Sequence, residues 1–124
     1  MRLSEHFLLS EFDSRTETVP KALQDNVFAL AQRLQVIRSH LGKPIDITSG
    51  WRSPEHNLEI GGARRSMHLW ASGADIQVEG MAPRELAQEI EFLMDEGLVP
   101  GGGIGVYSAH THVDFRGHVT KWEG

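Results

Sequence analysis

The run Ser66-Met67-His68-Leu69-Trp70-Ala71-Ser72-Gly73-Ala74-Asp75-Ile76-Gln77-Val78 places a histidine and an aspartate seven positions apart, across a loop that enters an alternating stretch. Such a pair is two thirds of a metal site. A third ligand stands near the far end of the chain, where His110-Thr111-His112-Val113-Asp114-Phe115-Arg116 reads as a strand of period two. On that reading His110, His112 and Asp114 share one face, and Thr111, Val113 and Phe115 share the other. Two imidazoles and a carboxylate on alternate positions make a poor core layer, because each would need its own buried partner. They make a good floor for a metal centre.

The elements around these two runs follow from spacing and punctuation. In the N-terminal arm Phe7, Leu9 and Phe12 are expected to pack on the body, with Ser10 and Asp13 forming a short capped turn. Asp13 to Thr18 reads as a loop. From Pro20 onward Leu23, Val27, Leu30, Leu34, Ile37 and Leu41 recur at steps of four and three, which predicts one long helix stopped by Gly42 and Pro44. Residues 44–49 alternate and predict a strand. Ser53 and Pro54 open a short helix that Gly61-Gly62 ends. Arg64 to Gly73 is then a loop carrying His68, and Ala74 to Val78 a strand that holds Asp75. Pro83 opens a further helix with Leu86, Ile90 and Leu93 as its buried stripe, closed by Gly97. Gly101-Gly102-Gly103 turns into a strand at 104–107, paired with 110–116 in a hairpin.

Composition bounds the chemistry. A chain of 124 residues suits a single domain over 1–124, and its 40% hydrophobic and 23% charged residues are ordinary for a globular protein. No run is long enough to span a bilayer. Phe7-Leu8-Leu9, flanked by Glu5 and Glu11, is too short for a signal-peptide core, so synthesis in the cytoplasm without a signal peptide is expected. The absence of cysteine excludes disulfides, thiolate metal sites and cysteine nucleophiles. Any metal must be held by nitrogen and oxygen. A net charge of -5 disfavours nucleic acid as a partner.

Taken singly, His68 reads as a loop histidine and Asp75 as a strand-end cap. As a set, His68, Asp75 and His112 offer two imidazoles and one carboxylate, which suits zinc and leaves a coordination position open, as catalytic sites do. Such a site polarises a carbonyl and acidifies a water.

The sequence as a whole resembles the zinc D-Ala-D-Ala carboxypeptidase family, in particular its small stand-alone peptidases found among phage endolysins and prophage genes. The resemblance is carried by Ser49-Gly50-Trp51-Arg52-Ser53-Pro54-Glu55-His56-Asn57, Gly61-Gly62-Ala63, Ser66-x-His68 with Asp75-Ile76, and His112-Val113-Asp114-x-Arg116-Gly117 with Trp122. It implies an α+β chain of the hedgehog/DD-peptidase fold, with a small, mainly antiparallel sheet packed with helices. It also implies Zn2+ and hydrolysis of peptide bonds in peptidoglycan stem peptides, by D,D-carboxypeptidase or endopeptidase action on the bacterial cell wall, reached by a phage or prophage lysis or virion route. By resemblance His68, Asp75 and His112 are the zinc ligands, Arg52 binds a substrate carboxylate and Ser66 lines the substrate site. A monomer is expected.

Two departures stand out. The family's usual His-x-x-Gly-x-Ala-x-Asp loop has Ala71 at the glycine position and Gly73 at the alanine position, which puts the loop path in question because alanine resists positive φ. Many members also carry an acidic general base three residues before the last zinc histidine, where this chain has Ala109. His110 is the expected replacement, with Asp114 as the competitor or as an orienter of an imidazole. Tyr107 is either a packing residue or a donor to an oxyanion. These departures sustain a second hypothesis, a non-catalytic module of the same fold that binds zinc and wall peptide or serves as a phage structural component. A metal-dependent phosphoesterase is disfavoured by charge.

Overall fold

The computed structural model describes residues 1–15, 17–63 and 65–124; Thr16 and Arg64, which fall in the expected 13–18 and 64–73 loops, lie outside the described residues. Helix α1 spans Gln24–Leu41 and buries Val27, Leu30, Ala31, Leu34 and Ile37, the stripe its spacing predicts. It starts later than Pro20, because Lys21–Leu23 form a turn of 3₁₀ helix first. Gly42 ends it in the left-handed conformation, φ 66°, with its N–H on the Arg38 carbonyl at 3.0 Å. Helix α2, Pro54–Glu59, has Pro54 in its first turn, and the Ser53 hydroxyl accepts the His56 N–H at 3.2 Å. Helix α3, Pro83–Asp95, buries Leu86, Ala87, Ile90, Leu93 and Met94. No helix among the described residues is long and apolar enough to cross a membrane.

Five strands form one sheet in the order β1-β2-β4-β3-β5: β1 Asp46–Ser49, β2 Gly73–Gln77, β3 Gly103–Val106, β4 Thr111–Asp114 and β5 Thr120–Glu123. Three pairings are antiparallel and β3–β5 is parallel, so the chain is α+β with a small mixed sheet. The 110–116 strand is shorter than expected. At one end the Tyr107 N–H closes the hairpin turn on the His110 carbonyl at 3.0 Å. At the other, Arg116 folds back on Asp114 and turns the chain away. The later strand β5 was not foreseen.

The alternation of β2 and β4 divides the sheet as its sequence implies. Ala74, Ile76 and Val113 point into the core with Ile104, and α3 lies across β3 and β4 on that side. Thr111 on the same face gives its hydroxyl proton to the Pro83 carbonyl at 2.8 Å, which seats the start of α3. The arm is held by Phe7 and Phe12, both fully buried, with Leu9 packed against the core. Its turn is capped by Glu11, which accepts the Leu8 N–H at 2.7 Å, rather than by Ser10. Gly50 lets the arm approach closely, since a Cβ there would lie 2.7 Å from the Phe12 Cα, and the Phe12 carbonyl accepts the Trp51 N–H.

From sequence alone His6, His40, His56 and His118 read as surface residues, but His56 is half-buried against the arm. Its Nδ1 lies 3.0 Å from the hydroxyl of Ser14, which is buried and accepts the Ser53 N–H at 3.1 Å. When the imidazole is neutral with Nδ1 unprotonated, it accepts the Ser14 hydroxyl proton. Burial, followed by the charges of Arg15 and Arg52, holds His56 below its ordinary pKa of 6.5, against a smaller opposing pull from Glu59 and Glu17. The unfolded chain then takes up this proton at higher pH than the folded one. The stability owed to neutral His56 is thus present above the ordinary imidazole range and lost as pH falls through it. Urea midpoints at about pH 7.5 and about pH 5, in the same metal state, should fall more for the parent than for His56→Gln. An equal fall in both would assign the acid sensitivity to other groups.

Candidate metal centre

Sheet register brings the two halves of the site together. Asp75 in β2 is paired directly with His112 in β4, so their side chains leave the same face. His68 is delivered from the turn Met67–Trp70, whose N-cap Ser66 accepts the His68 N–H at 3.2 Å. The result is a tight triangle. His68 Nε2 lies 3.1 Å from Asp75 Oδ1, His112 Nδ1 lies 3.3 Å from the same oxygen, and the two nitrogens are 3.2 Å apart. All three residues are buried.

The outer partners assign the protons. His68 Nδ1 faces the Gly50 carbonyl at 2.7 Å, and a carbonyl only accepts, so Nδ1 carries the proton and Nε2 turns a lone pair inward. His112 Nε2 faces the Asp114 carboxylate at 2.7 Å, so it too is protonated and Nδ1 turns inward. Three lone pairs therefore converge where hydrogen bonds alone would leave them in conflict. Donors held about 2.0–2.2 Å from one centre in a tetrahedral array stand roughly 3.3–3.6 Å apart, close to the spacing of this triangle. The donor set fits a cation.

Charge reinforces the arrangement. Burial by itself would raise the Asp75 carboxyl; with protons in place of a cation in the triangle, hydrogen bonds from His112 and His68 and the charges of His68 and His110 outweigh it, so Asp75 stays ionised well below the usual carboxylate range. Burial lowers His68, against the pull of Asp75. Burial also pulls His112 down, yet its bonds to Asp114 and Asp75 prevail and raise it. Asp114 is entirely buried and resists the upward push of burial because Arg116, His112 and the Gly103 N–H all donate to it.

The remaining expected residues surround this triangle. Asp114 does share the His112 face, and its two oxygens are taken by Gly103 N at 2.8 Å, Arg116 Nε at 2.8 Å, Arg116 Nη2 at 2.7 Å and His112. Such a carboxylate orients an imidazole. His110 sits in the hairpin turn, partly exposed, with Nε2 3.5 Å from Asp75 Oδ2. Arg52 is less free than its expected role suggests. Its guanidinium donates to Asp75 Oδ2 at 2.9 Å, Asn57 Oδ1 at 3.3 Å and Ser49 Oγ at 3.2 Å. Among the described residues this leaves one N–H on each terminal nitrogen. Ser66 keeps its hydroxyl proton beside the cleft. Ala71 adopts the left-handed conformation, φ 56° and ψ 31°, so the loop keeps the path that a glycine would give it.

A cleft of about 520 Å³ opens over the triangle, with Gly61-Gly62-Ala63, Tyr107 and Trp122 among its lining residues. Sequence reasoning counted three contributors, Gly50, Arg116 and Trp122, among the family motifs but gave them no role at the site. The Gly50 carbonyl leaves no side-chain signal. Arg116 does, standing two residues from Asp114 in a strand. Trp122 belongs to β5, whose alternating Thr120, Lys121, Trp122 and Glu123 carried a strand signal that was readable.

An α+β chain whose sheet and adjoining turn bring two imidazoles and a carboxylate together beside an open cleft has, among the described residues, one candidate metal site with room for a ligand. The chain belongs to the peptidase M15 family, whose family model matches residues 5–114. It is similar to the zinc D-Ala-D-Ala carboxypeptidase of Streptomyces albus G, with 32% identity over 91 residues that cover 71% of this chain and 34% of the relative. The chain thus spans about a third of the length of that relative.

Metal titration should saturate at about one divalent ion per chain, and His68→Ala or His112→Ala should abolish tight uptake. Asp114→Asn should weaken uptake roughly 10- to 100-fold, because an amide offers His112 an N–H₂ where a carboxylate accepted. His110→Ala should leave it nearly unchanged. Undiminished metal content in both histidine variants would remove the triangle as the binding site.

Proposed function

We propose that residues 1–124 form one zinc peptidase domain, acting as a monomer, that hydrolyses peptide bonds in peptidoglycan stem peptides. The observation that carries this reading is the converging His68, Asp75 and His112 triangle at the buried side of an open cleft, in a chain of the peptidase M15 family. The Streptomyces relative, a zinc D-Ala-D-Ala carboxypeptidase, supplies the metal and the substrate class for this reading. Zinc held by these residues would contribute Lewis acidity towards a carbonyl and a more acidic water. Everything else falls to the chain's own side chains.

His110 is the proton carrier in this reading. It stands beside the donor set without belonging to it, and its partial exposure lets it exchange a proton with water at Nε2. Asp114 is a poor candidate for that task, because both oxygens are already engaged by donors. It holds His112 instead. Arg52 presents its two remaining N–H groups as a fork for a carboxylate, and Ser66 offers a hydroxyl. Charge supports an anionic ligand: among the described residues the cleft is lined by Arg52, Arg65 and Arg116, and the partner carboxylates Asp75 and Asp114 offset two of these three charges, although the whole chain carries -5. Action at the bacterial cell wall follows from the same substrate class, and a phage or prophage lysis or virion route rests only on the resemblance to small stand-alone endolysin-like peptidases.

Ala109, at the position where many relatives carry an acid, sustains a second reading, a zinc- and wall-peptide-binding module without catalysis. Incubation of the zinc-loaded protein with purified sacculi, followed by mass spectrometry of released fragments, decides between them. Fragments ending at one stem-peptide bond support the peptidase and identify the bond. Retention on sacculi with no fragment supports the module. In the peptidase case His110→Ala should retain zinc and lose roughly 10²- to 10⁴-fold in kcat. Arg52→Lys should raise KM for substrates with a free terminal carboxylate while zinc content holds. If His110→Ala stays near the parent rate, the proton carrier is another group.

A further inference from the structure

Two aromatic residues of the cleft wall have no part in the scheme above. Trp122 of β5 and Tyr107 of the hairpin turn are joined by a hydrogen bond of 2.8 Å from the indole Nε1 to the phenolic oxygen. The fold makes room for this pair. Trp122 is paired with Gly105 across the parallel β3–β5 ladder, and a Cβ at Gly105 would lie 2.6 Å from Trp122 Nε1 and 2.9 Å from Tyr107 Cε2. A Cβ at Gly124 would strike the Tyr107 ring. Both rings also touch the site: Tyr107 stacks on His110, with centroids 4.6 Å apart and planes 14° from parallel, and Trp122 lies 5.2 Å from the His112 ring.

The direction of the Trp122–Tyr107 bond matters. An indole N–H can only donate, so the tyrosine oxygen must accept. The Trp122 N–H takes up one lone pair of the tyrosine oxygen and leaves the tyrosine's own proton to be donated elsewhere. Among the described residues no acceptor takes it, although Tyr107 lines the cleft. A tyrosine that served only as packing would not need its hydroxyl set this way.

Resting on the peptidase reading, we propose that Tyr107 is a further catalytic residue, whose hydroxyl donates a hydrogen bond to the oxygen of the scissile carbonyl, and that Trp122 is its positioning residue. When the water oxygen bonds to the carbonyl carbon and gives a proton to His110, the π pair of the C=O bond moves onto the carbonyl oxygen and leaves it negative. Tyr107 stabilises the charge by hydrogen bonding and keeps its proton throughout. The stack on His110 fixes the ring, so the donor is in place before the charge develops.

The test uses the zinc-loaded full chain, a stem-peptide substrate, its product peptide and a phosphinate analogue of the tetrahedral state. Loss of one such donor typically costs roughly 10²- to 10³-fold in kcat. Tyr107→Phe should show a loss of that size with KM and zinc content unchanged. Its affinity for the phosphinate, measured by calorimetry, should fall in parallel, while affinity for the product peptide stays within about twofold of the parent. Trp122→Phe keeps an aromatic ring and removes the N–H; it should lose about tenfold, and the double variant should be no worse than Tyr107→Phe alone. Additive losses would show that Trp122 does not act through Tyr107. Tyr107→Phe within about threefold of the parent in kcat and phosphinate affinity overturns the proposal and leaves the peptidase reading intact. Equal loss of phosphinate and product affinity with a lowered Tm assigns Tyr107 a structural role. A parent that neither hydrolyses the substrate nor binds the phosphinate overturns both.

Discussion

Everything at the centre of this molecule depends on a buried carboxylate. Asp114 has no exposed surface and remains ionised because Arg116 grips it with two N–H groups and the backbone of Gly103 adds a third. Its remaining acceptor capacity fixes the proton on His112 Nε2, and that choice directs the other nitrogen at Asp75 and His68. An ionised group moved out of water without partners would cost several kcal/mol or would simply protonate. Here the compensation comes from two adjacent strands and the turn that follows, so the charge, the tautomer and the end of β4 are one arrangement.

A similar logic runs through the other half of the site. Gly50 gives its carbonyl to His68 and yields its side-chain space to the N-terminal arm, so an element at the start of the chain supports a ligand far from it in sequence. Asp75 uses one oxygen towards the histidines and the other towards Arg52. The arginine is therefore both a candidate ligand-binding group and a counter-charge for the centre. Membership of the peptidase M15 family accords with this economy, in which few residues have one task only.

Much of this was legible in the sequence. The stripe of α1, the capped start of α2, the alternation of β2 and the two-face division of β4 are local patterns, and each element formed where its pattern lay. The candidate ligands Asp75 and His112 were readable because polar side chains at alternate positions have no place in a core, and His68 through its seven-residue spacing from Asp75 and the motif around it. What escaped notice depends on other parts of the chain. His56 read as exposed, since nothing local reveals that Ser14 packs over it. The role of Arg52 read as open, since its bond to Asp75 is formed only when β2 pairs beside it. Ala71 shows the reverse case, where a local preference against positive φ, about 1 kcal/mol or more, yields to the buried turn around it.

The glycines beside the centre are as much a part of its design as the side chains they face. A methyl group at Gly73 would lie 3.0 Å from the His112 ring, and one at Gly103 would lie 2.5 Å from Asp114 Oδ2. Each of these positions carries no chemistry of its own and would attract no attention in a search for reactive groups. In a saturation mutagenesis map of this chain, sensitivity would accordingly trace a negative image of the site, a shell of positions intolerant of one added carbon, enclosing the residues that perform the work.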